Sequence, residues 1–352
     1  MEMRRFALLA CAVGTLACLA VASTAGAQTT GRSWAAPQIK AVVAAGLLGP
    51  SVPDFRPQDP LTASELTLAL ALLGGPDRGV DDASRLVTLR DLDAALVDLV
   101  GLRREAATIR RAAAAAGLVP RPWLGTETIA RLLGLRVNHE RSQEQLELQL
   151  SEPATRAEAA YSIARVLLLG EAEIEAVRSA AQAFSLPSLT EWQRRVLTPA
   201  LRLVGSPYVW AGTSEKPQQL FGETLPGGFD CSGFVWRVYK LDPATSSAPG
   251  LAATLVGRTS YAMSGEVPRS GRIARDAIRA GDIVFFGPRG PRSKPAQIGH
   301  MGIYVGNGWL VHSSVAGTTL QPLTGWYETT FAWGRRPLAE AGLDPVRLPA
   351  QR

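Results

Sequence analysis

Cysteine usage constrains this chain more than any other feature. Only Cys11, Cys18 and Cys231 occur in 352 residues. Arg4 and Arg5 precede an apolar run from Phe6 to about Ala22, and Ala25-Gly26-Ala27 follows. A basic start, an apolar middle and small residues at minus three and minus one read as a secretory signal peptide, residues 1–27. The rival reading is a retained signal anchor, because the run is almost long enough to span a bilayer. Neither Cys11 nor Cys18 sits in a lipidation box, so the exported chain keeps one thiol and cannot close an internal disulfide. Its fold must therefore rest on buried apolar surface, and 46% hydrophobic residues with 19% charged suffice for one or two cores. A lone thiol in an oxidising compartment has to be buried or used.

No later stretch approaches about 18 uninterrupted apolar residues, so no stable membrane span is expected once the signal is cut. The expected location is secreted, at the cell wall or in the periplasm. The formal net charge is +6. Residues 28–190 carry 17 basic and 19 acidic residues, whereas residues 191–352 carry 18 and 11. The basic half allows anionic partners, but no nucleic acid is expected. With 34 Gly and 24 Pro in an otherwise mixed composition, collagen-like and low-complexity architectures are excluded.

Residues 28–185 are helical in pattern. Pro37 opens a helix carrying Ile39, Val42 and Val43, which Gly46 ends. Thr62 caps a second helix, with Glu65 three residues on completing a capping box. Related starts recur at Val87-Thr88-Leu89-Arg90-Asp91 and at Ala154-Thr155-Arg156-Ala157-Glu158, which points to repeats. With Trp34, Gly46-Leu47-Leu48 and Phe55, this pattern resembles S-layer homology repeats over about Trp34 to Leu169. The resemblance implies contact with anionic cell-wall polymer, the role that such modules give to the residue matching Arg156. The alternative is a helical domain with ordinary capping boxes. His139, in the polar stretch Asn138 to Arg141, reads as an exposed loop residue and not as a ligand. Glu171 to Phe184 is a further helix, and Ser185 to Leu189 breaks the two halves.

After a helix from Glu191 to Val204 the pattern turns to strands: Asp282 to Phe286, His300 to Val305, Trp309 to Ser313 and Ala332 to Arg336. Helices ahead of clustered antiparallel strands define an α+β class. Cys231 follows Gly227-Gly228-Phe229-Asp230 and starts a helix with Phe234, Val235 and Val238 facing inward. A thiol there feels the positive end of the helix dipole, which favours thiolate and suits a nucleophile. The competing reading is an inert buried cysteine.

A thiol nucleophile needs a base. A two-residue Asn307-Gly308 turn would pair Ile303 with His312 and put His300 and His312 on opposite faces. A three-residue Gly306-Asn307-Gly308 loop pairs Val305 with Trp309, Ile303 with Val311 and Gly302 with His312. That register keeps apolar residues together and makes the histidines diagonal neighbours at about 7–8 Å of backbone spacing. It is the preferred one. His300 would take the thiol proton and His312 would fix its tautomer. The Cys231 backbone N–H is a candidate oxyanion donor, and Tyr208 a second donor or orienter. One Cys and two His without metal-ligand spacing make no metal site, and no cofactor is expected.

Tyr208-Val209-Trp210-Ala211-Gly212, Asp230-Cys231-Ser232-Gly233, Gly281 to Phe286, Gly299 to Tyr304 and Val311-His312 occur in the order seen in NlpC-type cell-wall cysteine peptidases. Residues of about Glu191 to Leu338 resemble that family. The resemblance implies a papain-like α+β fold in which Cys231, His300 and His312 form the triad. It implies cleavage of peptidoglycan stem peptides, often between γ-D-glutamate and a diamino acid. It makes Tyr208 a lining residue beside the nucleophile, and Asp230 and Ser232 residues that recognise a substrate amine. Ala211 departs from the family, which has Gly there, and Glu215 to Leu225 and Asp242 to Gly257 look inserted at the cleft border.

The expected organisation is a signal peptide (1–27), a helical repeat domain (28–185), a cysteine peptidase domain (190–340) and a C-terminal tail (341–352). The expected function is a secreted peptidoglycan hydrolase. A non-catalytic wall-binding protein, and a thiol amidase or acyltransferase on the same fold, are the alternatives. The helical half is expected to be dispensable for turnover of soluble fragments.

Overall fold

The computed structural model describes residues 33–344, apart from residues 77, 78, 80 and 249. The expected signal peptide and most of the expected tail lie outside the described residues. None of the described helices is long and apolar enough to cross a membrane.

The first half is helical: α1 (Ala36–Ala44), α2 (Ala63–Leu72), α3 (Leu89–Leu99), α4 (Arg103–Ala115), α5 (Leu124–Leu132), α6 (Arg156–Leu168) and α7 (Glu171–Ala183). All three Thr-led starts act as N-caps. Thr62 accepts from the Glu65 N–H within a full capping box, Thr88 from that of Asp91, and Thr155 from that of Glu158. Each such cap stabilises its helix by roughly 1 kcal/mol. The residues just before these caps meet one another. The Leu61 N–H donates to Ala154 (2.8 Å), the Ala154 N–H to Val87 (2.8 Å), and the Val87 N–H to Leu61 (2.9 Å). Three sequence-related starts thus close a triangle of main-chain hydrogen bonds, with all three side chains buried.

Arg156 is buried, pairs with Glu65, lies over the Phe55 ring and donates to the Phe55 carbonyl at 2.7 Å. Its charge is met inside the module. His139 corrects the sequence expectation. It is a loop residue, but it is buried, with Nε2 3.2 Å from Glu158 and its ring edge-on to Trp34 at 4.7 Å. The polar neighbours that suggested exposure, Asn138, Glu140 and Arg141, are turned toward the second half of the chain or to solvent.

The second half contains α8 (Glu191–Arg202), β1 (Thr213–Ser214), β2 (Gln218–Leu220), β3 (Glu223–Leu225), β4 (Gly228–Phe229) and α9 (Cys231–Trp236), which runs on as a π-helical turn to Leu241. Then follow α10 (Pro243–Ser246), α11 (Ser260–Gly265), β5 (Ile283–Phe286), β6 (His300–Gly306), β7 (Trp309–Ser314), β8 (Gly317–Pro322), α12 (Trp326–Thr330), β9 (Phe331–Arg335) and α13 (Pro337–Glu340). Five strands form one antiparallel sheet in the order β8-β7-β6-β5-β9, and the expected α+β architecture is present. β8 is an element the sequence reading lacked. Its Gly-Thr-Thr start reads as polar, yet Thr318 and Thr319 are buried against the strands before it. The stretch Glu215 to Leu225 that looked inserted contains the β2–β3 hairpin.

One hydrophobic cluster draws on both halves, from Ala35 to Leu338, and a smaller one holds Val284, Phe286, Leu310, Leu323 and Phe331. Phe184 packs edge-on to Trp309 at 4.9 Å. Arg131 on α5 is buried and donates to the carbonyls of Gly205 (2.8 Å) and Ala316. The segment before α6 also reaches across, through Asn138, Glu144 and Gln149. The expected break at Ser185 to Leu189 is a chain connection and not a separation of cores.

Candidate active site

The Tyr208 segment, the Cys231 turn and the β6–β7 hairpin are stitched together by the main chain. The Phe229 N–H donates to Pro207 (3.1 Å), the Val209 N–H to Phe229 (3.3 Å), and the Ser313 hydroxyl on β7 to the same Phe229 carbonyl (2.7 Å). Asp230 N-caps α9 by accepting the Gly233 N–H, and the Ser232 hydroxyl donates to the same carboxylate oxygen at 2.9 Å. Gly233 is required by space alone. A Cβ there would lie 1.9 Å from the Gly212 carbonyl oxygen. Phe234, Val235 and Val238 are buried, as expected, and hold the helix down.

Cys231 is half-buried at the first position of α9. The expectation that the helix start favours thiolate is not met. Burial pushes the thiol up to about 12, and the Asp230 carboxylate acts in the same direction. The backbone N–H groups of Met301 and Ser232, and Arg258, pull the other way without reversing it. The Met301 contact brings the sulfur against β6 beside His300.

His300 and His312 occupy one face of the β6–β7 hairpin. His300 Nε2 lies 2.9 Å from His312 Nδ1, and the rings meet edge to face at 89°. Ile303 pairs with Val311, as the preferred register requires. The loop differs in detail. Gly306, not Val305, pairs with Trp309, so the turn is the two-residue Asn307-Gly308, both at positive φ. An irregularity between Tyr304 and Gly306 absorbs the extra residue. The turn that Asn-Gly favours and the register that the apolar face demands are thereby both satisfied. His312 is fully buried and pushed down to about 4 by burial, and burial followed by the His312 charge holds His300 well below the usual imidazole range. Both rings and the thiol are thus neutral near pH 7.

Tyr208 is half-buried, and its hydroxyl senses Cys231, Asp230 and Glu144, all of which raise it after burial, against Arg141. Ala211 stands at φ +63°, a left-handed conformation that suits the Gly expected at this position better than a residue with a Cβ.

Several residues of the site escaped the sequence reading. Arg258 donates to Ser232 Oγ (2.8 Å) and the Ala211 carbonyl (3.0 Å) and lies 3.4 Å from Asp230 Oδ1, so Asp230 and Ser232 face a cation of the chain itself. Gln321 on β8 is the side chain that favours the charged form of His312, whose Nε2 otherwise has no hydrogen-bond partner. The Tyr327 hydroxyl is bonded by Gln321 and Ser314, and its ring lies 4.9 Å from that of His312. Trp326, exposed, stands 6.1 Å from His300. The adjacent aromatics Trp326-Tyr327 were a usable signal; Gln321 and Arg258 carry none. From the helical half, the Asn138 side chain accepts the Tyr208 N–H (2.7 Å) and donates to its carbonyl (3.3 Å), and Glu144 accepts the Trp210 N–H (2.8 Å). The Gln149 side chain donates to Gly227 at 2.7 Å.

The fold and this arrangement define the class to which the second half belongs. Residues 205–336 match the NlpC/P60 family, and this part of the chain is an NlpC/P60 domain. The chain is 36% identical over 133 residues to the probable peptidoglycan endopeptidase LytE of Bacillus subtilis (strain 168), covering 38% of this chain and 30% of that protein. It is 29% identical over 122 residues to a gamma-D-glutamyl-L-lysine dipeptidyl-peptidase of the same organism, covering 34% and 32%. The chain thus spans about a third of these curated relatives. Among solved structures, RipD from Mycobacterium tuberculosis, described as a non-catalytic NlpC/p60 domain protein, aligns with TM-score 0.31 at 20% identity over 42% of this chain and 98% of that one.

Proposed function

We propose that the protein is an exported cysteine endopeptidase that hydrolyses peptidoglycan stem peptides at the γ-D-glutamyl–diamino acid bond. The observation that supports this most is the 2.9 Å His300–His312 contact on the strand whose Met301 N–H reaches the Cys231 sulfur.

Because His300 Nε2 is engaged by His312 Nδ1, the nitrogen left for the thiol is Nδ1. That assignment fixes every tautomer. His300 carries its proton on Nε2 and donates to His312 Nδ1, and His312 carries its own on Nε2, toward Gln321. The thiol starts neutral, so its proton passes to His300 Nδ1 as the sulfur attacks the scissile carbonyl carbon. Negative charge on the carbonyl oxygen is met by the Cys231 backbone N–H at the start of α9, with the Tyr208 hydroxyl as second donor. His300 returns the proton to the leaving amine, the C–N bond breaks, and water hydrolyses the thioester with His300 again acting as base. Asp230 and Ser232 shape the substrate side together with Arg258. In this reading the helical half holds the chain on the wall.

The test is digestion of purified sacculi with product masses. The native protein should release soluble muropeptides with new termini at the γ-D-glutamyl bond, and Cys231→Ala should release none. Unchanged release by that variant would end the proposal. Retention of Cys231→Ala on sacculi measures wall binding separately.

A further inference from the structure

Beside the candidate site lies a groove of about 620 Å³, walled on one side by the 3-10 turn Arg141–Leu146 and on the other by the β2–β3 hairpin. Glu140 and Glu223 stand among its lining residues. One wall comes from the helical half and the other from a stretch that looked inserted, and neither carries Cys231, His300 or His312.

Arg141 is exposed, and its side chain makes no ion pair or hydrogen bond among the described residues, although Glu144 one turn on is near enough to feel its charge. Its guanidinium carbon instead sits 5.2 Å from the ring centres of both Trp210 and Phe221. Two aromatic faces thus orient the plane and leave the N–H edge open. Glu144 accepts the Trp210 N–H, which also ties the groove to the chain segment that carries Tyr208. An oriented guanidinium with a free donor edge is built to receive a planar anion in two parallel hydrogen bonds. Glu140, Glu144 and Glu223 also line the groove, so among its lining residues Arg141 is the cation that a carboxylate would meet.

We infer that Arg141, held by Trp210 and Phe221, binds a free carboxylate of the stem peptide outside the scissile bond, so that the groove selects carboxylate-bearing over amidated wall peptides. This rests on the substrate class proposed above and adds a specificity determinant to it.

The experiment compares binding of a synthetic stem tetrapeptide with free carboxylates, and of its fully amidated counterpart, to full-length Cys231→Ala by calorimetry. The acid should bind tighter than the amide. Adding Arg141→Gln should lower that preference about tenfold, the share of one charge-assisted bidentate contact. Phe221→Ala, at the exposed hairpin tip, should lower it in the same direction by releasing the guanidinium. Full preference retained in Arg141→Gln, or equal loss of affinity for both peptides, overturns the inference. Wall digestion by the native protein, run alongside, separates the two claims. Active native enzyme with an Arg141-independent preference removes only the groove's role, whereas no digestion and no peptide binding removes both.

Discussion

Gly302 lies directly opposite His312 across the β6–β7 ladder, and a Cβ on Gly302 would come within 2.8 Å of His312 Cβ and 2.9 Å of the Val311 carbonyl. The bare strand at this point is what lets His312 lean over to His300. Sequence position 302 therefore bears on the chemistry without touching it.

Gly302→Ala is expected to push the hairpin strands apart, at a cost of roughly 1–3 kcal/mol in stability. The fall in kcat should exceed what the unfolded fraction explains. Denaturant unfolding and kcat at a temperature where the variant is fully folded check this.

His312→Ala should lower kcat by about a hundredfold or more, because the His300 tautomer is no longer fixed. Gln321→Ala should lower it less, through the same chain of donors. Steady-state kinetics on a defined muropeptide, with circular dichroism to confirm folding, decide the order.

His312 has its folded value depressed to about 4 from an ordinary 6.5. A depressed histidine favours the neutral ring, so its contribution is complete above about 6.5 and is lost as pH falls toward 4. Replacing it by Gln removes the titration. Between pH 6.5 and 4 the native protein should lose on the order of 3 kcal/mol relative to His312→Gln. A parallel pH dependence for the two proteins would show that the ring is not held neutral. Glu147 has the opposite sign. Burial lifts it to about 7, so its contribution is whole below about 4.5 and disappears as pH rises through 7, and Glu147→Gln should flatten that window.

Ala211→Gly should stabilise the protein by up to about 1 kcal/mol, since φ +63° strains a residue with a Cβ and glycine only partly offsets that by its looser unfolded chain. Activity should be retained. A lowered melting temperature would mean that the Ala211 methyl packs more than the backbone strains.

Removing residues 33–185 should abolish turnover of soluble fragments as well as of intact wall, against the sequence expectation. The deletion strips Asn138 from Tyr208, Glu144 from Trp210, Gln149 from Gly227 and Phe184 from Trp309. Arg131→Ala is a gentler probe. It leaves Asp93 and Glu127 buried with one cation fewer and should cost about 3–5 kcal/mol. Peptide turnover by the truncated chain at the native rate would restore the picture of two independent domains.

What could be read in the sequence was whatever short-range rules decide. N-caps are local, so Thr62, Thr88 and Thr155 announced their helices. The two-residue period of a strand is arithmetic, so one choice of register put His300 beside His312. The bulge near Val305 escaped because two local preferences, an Asn-Gly turn and an apolar face, conflict by one residue, and only the folded strand shows how both are kept. Long-range burial left no trace. His139 looks solvated by its neighbours until Trp34 and Glu158 cover it, and β8 looks polar until the strands before it do. The Cys231 thiol was misjudged for a related reason: helix start is visible in sequence, whereas the desolvation and the Asp230 charge that outweigh it are not.

The ring formed by Leu61, Val87 and Ala154 has no first or last member. Each residue is both giver and receiver, so withdrawing any one of the three segments would strand a donor on one survivor and an acceptor on the other, among side chains that are buried. The helix starts that follow these residues are thereby tied to one another, and a shift at any one of them would be felt at the other two.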